Sequence, residues 1–166
     1  SEGLSASACL SATAAAAARL GMACHIVANG TPPERLSGNA LLDQLLGAHV
    51  TYVAQRTDRI PAMEALAATL RAEGRNPLIV PLGASTPLGA LGLALGVGEI
   101  VRQGIVPDVI VHATSSGGTQ AGLIAGCALF GLPTRVIGIS ADDPVADIGQ
   151  IVISLCSGIE TLLALP

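Results

Sequence analysis

Short apolar runs alternate with longer helical patterns along almost the whole chain, and this alternation limits the fold more than any other feature. "ACHIVA", "HVTYVA", "PLIVPL", "DVIVHA" and "RVIGISA" read as strands: each is brief, apolar and bounded by turn chemistry. Between them lie segments of helical periodicity. Ala8 to Leu20 is alanine-rich and stops at Gly21, and "NALLDQLLGA" sets Leu41, Leu42, Leu45 and Leu46 on one face before Gly47. "PAMEALAATLRAEG" carries Pro61 in its first turn and Gly74 at its end. A small-residue helix runs from Pro87 to Gln103, "GTQAGLIAGCALFG" forms another, and "PVADIGQIVISLCSGIETLLAL" is the last. Strands joined through helices pair in parallel by right-handed crossovers. The expectation is an α/β fold of three layers on a mainly parallel twisted sheet.

Half of the 166 residues are apolar, yet the aromatics are one Tyr and one Phe, with no Trp. The core is therefore built from Ala, Leu, Val, Ile and Gly, which favours closely packed helices. This length forms one domain or two small lobes sharing a sheet. The expected seam lies near Asn76, where "LRAEGRN" gathers charge and turn residues, dividing residues 1–76 from 77–166. A net charge of -4 and few aromatics argue against nucleic acid as a partner. Cys9, Cys24, Cys127 and Cys156 show no C-x-x-C spacing and read as buried apolar residues in a reducing, cytoplasmic setting. His25, His49 and His112 are widely spaced, and no metal site is expected. The uncharged stretch from Val109 to Thr134 is interrupted by "TSSGGTQ", which a bilayer would penalise, and no signal peptide is visible, so no membrane is expected either. A start at Ser1 without Met reads as a fragment or processed form.

All eight Lys+Arg residues are arginine. Arginine is permanently protonated, so no side chain of this chain can form a lysine-type Schiff base.

The polar elbow "HATSSGGTQAG" at residues 112–122 follows one apolar run and opens the next helix. Such a junction is an anion site, because unpaired N–H groups and the positive end of the helix dipole converge there. Gly117 and Gly118 let the backbone approach, and Ser115, Ser116 and Thr119 add hydroxyl donors. The elbow fits neither G-x-x-x-x-G-K-[ST] nor G-x-G-x-x-G, which turns the reading away from nucleotide hydrolysis and dinucleotides. A plain strand-to-helix turn capped by Ser or Thr is the competing reading.

"SSGGTQAGL" resembles the cofactor-phosphate loop of pyridoxal-phosphate enzymes of the tryptophan synthase β-like fold (fold type II), in the branch of D-cysteine desulfhydrase and 1-aminocyclopropane-1-carboxylate deaminase. "TAAAAARLGMACHIV", "GNALLDQLLGAHVTYV", "NPLIVPLGASTPLGALG" and "RVIGISADDP" are similar to the same branch, in the same order. The resemblance implies a smaller-lobe-like segment over 1–76 and part of a larger lobe over 77–166. It implies pyridoxal phosphate as cofactor, with its phosphate at Ser115, Ser116, Gly117, Gly118 and Thr119. It also implies a small amino-acid substrate, a homo-oligomer, and Ser7 as the candidate catalytic residue near that substrate. "GLSASACLSAT" keeps Gly3 and Ser7 of the family's pattern but has Ala8 and Cys9 where Asn and His are expected. The family's lysine would lie before Ser1 and its substrate-facing tyrosine beyond Pro166.

Two functions follow. One is a domain or fragment of a pyridoxal-phosphate-dependent lyase or deaminase, not competent alone for want of lysine. The other is a non-catalytic phosphate- or cofactor-binding domain. Several residues have simpler readings: Ser7 as a helix cap, Cys9 as a buried structural thiol, Asp142 and Asp143 as caps of the last helix, and His112 as a strand-end residue satisfied by backbone.

Overall fold

The computed structural model describes residues 8–140 and 143–164. Ser7, Gly3 and Asp142 lie outside the described residues. The chain divides into two compact units between Ile79 and Val80.

In the first unit, helices α1 (Ala8–Arg19), α2 (Gly38–Leu45) and α3 (Arg59–Ala72) accompany strands β1 (His25–Asn29) and β2 (His49–Val53). The strands are parallel, in register from His25 opposite His49 to Asn29 opposite Val53. Ala14, Cys24 and Ile26 form the buried centre, with Leu10, Ala17, Leu46, Ala48 and Val50 packed on it. The alanine run earns its place here, since Ala14 is fully covered and a larger side chain would hold α1 away from β1. Asp43 of α2 is only 2% exposed. Its carboxylate accepts a 2.7 Å hydrogen bond from the Ser11 hydroxyl of α1, which offsets part of the cost of burying it.

The second unit holds α4 (Pro87–Arg102), β3 (Val109–Thr114), α5 (Gly118–Leu129), β4 (Arg135–Ser140) and α6 (Val145–Leu162). β3 and β4 are parallel, from Val109 opposite Arg135 to Thr114 opposite Ser140, and α5 is the crossover between them. Val97, Leu123 and Cys127 are buried against Ile110, Leu132 and Val136, so α5 covers one face of the strand pair. On its other side α5 meets α4 and α6 in a cluster of Ala90, Ala121, Ile148, Val152, Leu155 and Ile159. Glycine makes that contact close. A Cβ on Gly122 would collide with the Ala90 carbonyl, and one on Gly126 would stand 2.8 Å from Val97 Cβ. The other face of the strand pair is open, with Val111 64% and Ile139 58% exposed.

α6 is long and apolar enough to cross a membrane by length and composition, with mean hydropathy 1.4. Its buried residues Ile148, Val152, Leu155 and Ile159 recur at helical spacing on one stripe, the pattern of a helix packed on a core.

Both strand pairs are parallel and joined through helices, as the alternation requires. One expected strand is missing. "PLIVPL" makes no ladder: residues 77–81 are irregular and Leu82–Ala84 form a single 3-10 turn. Pro77 and Pro81 donate no backbone hydrogen bond, and among the described residues no strand pairs with this run, which leaves Leu78 79% exposed.

Candidate anion site at the start of α5

Two helices of the second unit begin with similar chemistry and end up differently. α4 is closed: the Thr86 hydroxyl accepts from the Gly89 amide at 3.0 Å, and Pro87 fills the first helical position, where no donor is needed. α5 has no such cap from its own loop. The residue at its capping position is Gly117, in the left-handed region at φ 78° and ψ -19°. Glycine tolerates that conformation and offers no side chain to occupy the helix end. The first intrahelical acceptor is the Gly117 carbonyl, taken by the Ala121 amide, so the amides of Thr119 and Gln120 head the helix without a carbonyl one turn behind them. No side chain at the capping position closes α5; the serine hydroxyl that meets its first turn, that of Ser85, comes from outside the loop.

The structure brings Ser115, Ser116, Gly117, Gly118 and Thr119 together at the carboxyl end of β3. Ser115 and Thr119 are exposed, Ser116 is half-buried, and both glycines are buried. Neither glycine has room for a side chain. A Cβ on Gly117 would stand 2.8 Å from Ile151 Cγ2, and one on Gly118 would stand 2.7 Å from Ser85 Oγ. The cradle therefore presents backbone N–H and hydroxyl groups with small residues beneath, a donor set suited to a phosphate ester. Among the described residues an acidic group borders it: Asp143 Oδ2 accepts a long 3.4 Å hydrogen bond from Ser115. Asp143 does not cap α6, as the sequence reading has it, because Pro144 occupies that position and the Asp143 amide instead donates to Ser140 Oγ.

Sequence reasoning missed Ser85. Its hydroxyl lies 2.7 Å from Ser116 Oγ and accepts from the Gly118 amide at 3.3 Å. The signal was present in "PLGASTPLG", a second serine-bearing helix start, but nothing local ties it to the elbow. Beneath the loop, Thr114 Oγ1, His112 Nε2 and Gln120 Oε1 are buried without hydrogen-bond partners. The expectation for His112 holds at its other nitrogen, where Nδ1–H donates to the Ala113 carbonyl at 2.8 Å.

The thiols divide by exposure. Burial pushes Cys24, Cys127 and Cys156 above the usual thiol range, reinforced by Asp43 at Cys24 and by Glu160 at Cys156, while a Thr134 hydrogen bond opposes it at Cys127. Cys9 is exposed, contrary to its reading as a buried thiol, because it lies in the first turn of α1 away from the Ala14 side. In the first unit, His25 and His49 stack with ring centroids 5.2 Å apart. Burial first, then His49 and Arg75, hold His25 below its ordinary 6.5, with Glu73 opposing. Among the described residues no three His, Cys, Asp or Glu side chains converge as a metal would need. A cavity of about 460 Å³, lined by Leu10, Ile26, Val50, Tyr52 and Asp43 among others, lies wholly in the first unit and shares no residue with the α5 loop.

Comparison with known proteins identifies the family of the chain. The family profile described as pyridoxal-phosphate dependent enzyme matches residues 6–161. A candidate 1-aminocyclopropane-1-carboxylate deaminase of Pyrococcus abyssi is 39% identical over 133 residues, 76% of this chain and 40% of the relative. The D-cysteine desulfhydrase of Salmonella typhi is 34% identical over 161 residues, 92% of this chain and 49% of the relative. A crystal structure of an ACC deaminase homologue superimposes over 99% of this chain and 51% of its own, with a TM-score of 0.87 and 32% identity. The chain thus spans less than half the length of the two sequence relatives and about half of that structure, and shares the three-layer α/β arrangement. With its profile match, these relatives and this fold, the chain belongs to the pyridoxal-phosphate-dependent enzymes of fold type II, similar to their deaminase and D-cysteine desulfhydrase members.

Proposed function

We propose that the Ser115–Thr119 loop holds the phosphate of pyridoxal phosphate, and that this chain is the phosphate-holding part of a lyase or deaminase acting on a small amino acid. One observation carries the reading: α4 is closed by Thr86 and Pro87, whereas α5 starts on a left-handed glycine without a side-chain cap from its own loop. In a family whose cofactor carries a phosphate, an uncapped helix start flanked by Ser115, Ser116 and Thr119 is where that group fits. Thr119 and Gln120 contribute amides, Ser115, Ser116 and Thr119 contribute hydroxyls, and Gly117 and Gly118 let the ester approach the backbone. The bound cofactor supplies an electron sink for carbanion chemistry at the amino acid's Cα. The matching substrate class is that of the relatives, a small amino acid such as D-cysteine or an aminocyclopropane acid. Residues 1–76 and 77–166 correspond in this reading to a smaller lobe and part of a larger one. A homo-oligomer would cover the exposed Val111 and Ile139 face, in a cytoplasmic setting.

The absence of lysine favours a second reading, a non-catalytic domain that keeps the phosphate site. An imine with the cofactor's aldehyde needs an unprotonated amine, and the eight basic side chains of this chain are all arginine.

Melting curves with inorganic phosphate and with pyridoxal phosphate test the shared element. At a ligand concentration a hundredfold above Kd, binding adds about 2.7 kcal/mol, which raises the melting temperature by roughly 5–10 °C for a chain of this size. Ser115→Asp sets a carboxylate at the exposed edge of the cradle and should abolish the rise while the ligand-free variant keeps its far-UV circular dichroism. An unchanged rise in that variant places the anion elsewhere. Borohydride treatment separates the two functions: a reducible side-chain adduct is expected only in a protein that supplies lysine.

A further inference from the structure

Resting on the phosphate reading of the α5 loop, we infer that Ser85 is a positioning residue of that site and acts through Ser116. Ser85 stands just before α4, 31 residues from its partner, on the short segment that follows the 3-10 turn Leu82–Ala84. Its hydroxyl touches the loop twice: 2.7 Å from Ser116 Oγ and 3.3 Å from the Gly118 amide. Both neighbouring backbones are shaped to allow this. Gly83 is left-handed at φ 66°, and a Cβ there would strike the Ser116 hydroxyl. Ala84 is also left-handed at φ 50°, a conformation that costs a non-glycine residue energy and persists only where its surroundings enforce it. Gly118 has no side chain because Ser85 occupies the space, with Ser85 Cα 3.2 Å from where a Cβ would be.

The chemistry fixes the direction of this chain of bonds. An amide N–H only donates, so Gly118 donates to Ser85. A dianionic phosphate ester only accepts, so a Ser116 hydroxyl bound to it points its proton at the anion. The Ser85 proton then goes to Ser116 Oγ, and the order is Gly118 N–H to Ser85, Ser85 to Ser116, and Ser116 to the anion. Each bond polarises the next, making Ser116 a better donor than a serine without a partner. Ser85 itself takes up the Gly118 amide. The anion is left with the amides farther along the first turn, those of Thr119 and Gln120, and with the three hydroxyls of the loop.

The test is a double-mutant cycle on this chain, read as Kd for inorganic phosphate and for pyridoxal phosphate, with ligand-free melting as a folding control. Ser85→Ala should weaken both ligands on the order of fivefold, the worth of one hydrogen bond. Ser85→Thr should restore affinity to within about twofold, since the hydroxyl is kept. Ser85→Cys preserves the shape with a weak donor and should lose affinity as alanine does. In a Ser116→Ala background Ser85→Ala should add less than about a twofold loss, because the relay is already broken. Equal losses in both backgrounds, or wild-type affinity in Ser85→Ala and Ser85→Cys, would overturn the inference while leaving the phosphate site intact. Failure of the unaltered chain to bind phosphate at all would remove the site itself and this inference with it.

Discussion

Gly126 and Gly92 give opposite answers to the same substitution, and the difference measures how tightly α4 holds the helix that presents the loop. Both lie inside helices, so alanine at either position gains about 0.8–1.0 kcal/mol of helix propensity. At Gly92 an added Cβ meets nothing within 4 Å. The full gain is expected there, and the melting temperature should rise by roughly 2–4 °C. At Gly126 the same Cβ would lie 2.8 Å from Val97 Cβ, 2.8 Å from Val97 Cγ2 and 2.9 Å from Ala94 Cα. Val97 is fully covered and Ala94 Cα is backbone, so neither can turn aside as the tip of a long side chain would. Overpacking of this kind costs about 1–3 kcal/mol, and the upper end applies because two helix backbones must separate. Subtracting the propensity gain leaves Gly126→Ala about 2 kcal/mol less stable than the original chain, a fall of roughly 4–8 °C. The two variants should then differ by about 3 kcal/mol in urea unfolding followed by circular dichroism. Separation of α4 from α5 also draws Gly118 away from Ser85, so Gly126→Ala should weaken phosphate binding and Gly92→Ala should not. Equal stability of the two alanine variants would refute the close α4–α5 contact.

Acid should weaken the first unit through His25. The unfolded chain titrates this group near 6.5 and the folded chain lower, so the unfolded state takes up the proton first. Stability is full above about pH 7.5, declines as pH drops through 6.5, and levels once the folded group is also protonated; the melting temperature should follow, and His25→Gln should flatten this part of the profile. An unchanged slope in that variant would assign the effect to other groups. Thiol titration with a disulfide reagent at pH 8 should show a single rapid equivalent, from exposed Cys9, with buried Cys24 and Cys127 released only on unfolding and half-buried Cys156 reacting at an intermediate rate. Survival of the rapid equivalent in Cys9→Ser would contradict that assignment.

The parts of the fold that were readable share a local cause. "HVTYV" and "RVIGIS" pair as strands where their pattern says, and Gly21, Gly47 and Gly74 follow helices in the left-handed conformation that ends them. "PLIVPL" misled because an apolar run signals a strand only when another strand lies beside it, and hydrogen-bond partners are not a local property. Cys9 misled for a related reason. Its type favours burial, but the inward face of α1 is set by Ala14 and Leu10, and one thiol carries no information about helix phase.

For the site, the elbow was legible because its donors are contiguous, from Ser115 to Thr119. What distinguishes it from the other serine-bearing helix start is a matter of one side chain at each. Thr86 turns its hydroxyl back onto its own helix and closes α4, so the Ser85 hydroxyl beside it is released to reach across to α5. Gly117 has nothing to turn back, so α5 stays open, and its one engaged amide, that of Gly118, is met by Ser85 from the neighbouring helix start. Composition is nearly the same in "GAST" and "SGGT"; the φ of Gly117 and the packing of α4 on α5 decide which of the two is closed by its own side chain and which is not.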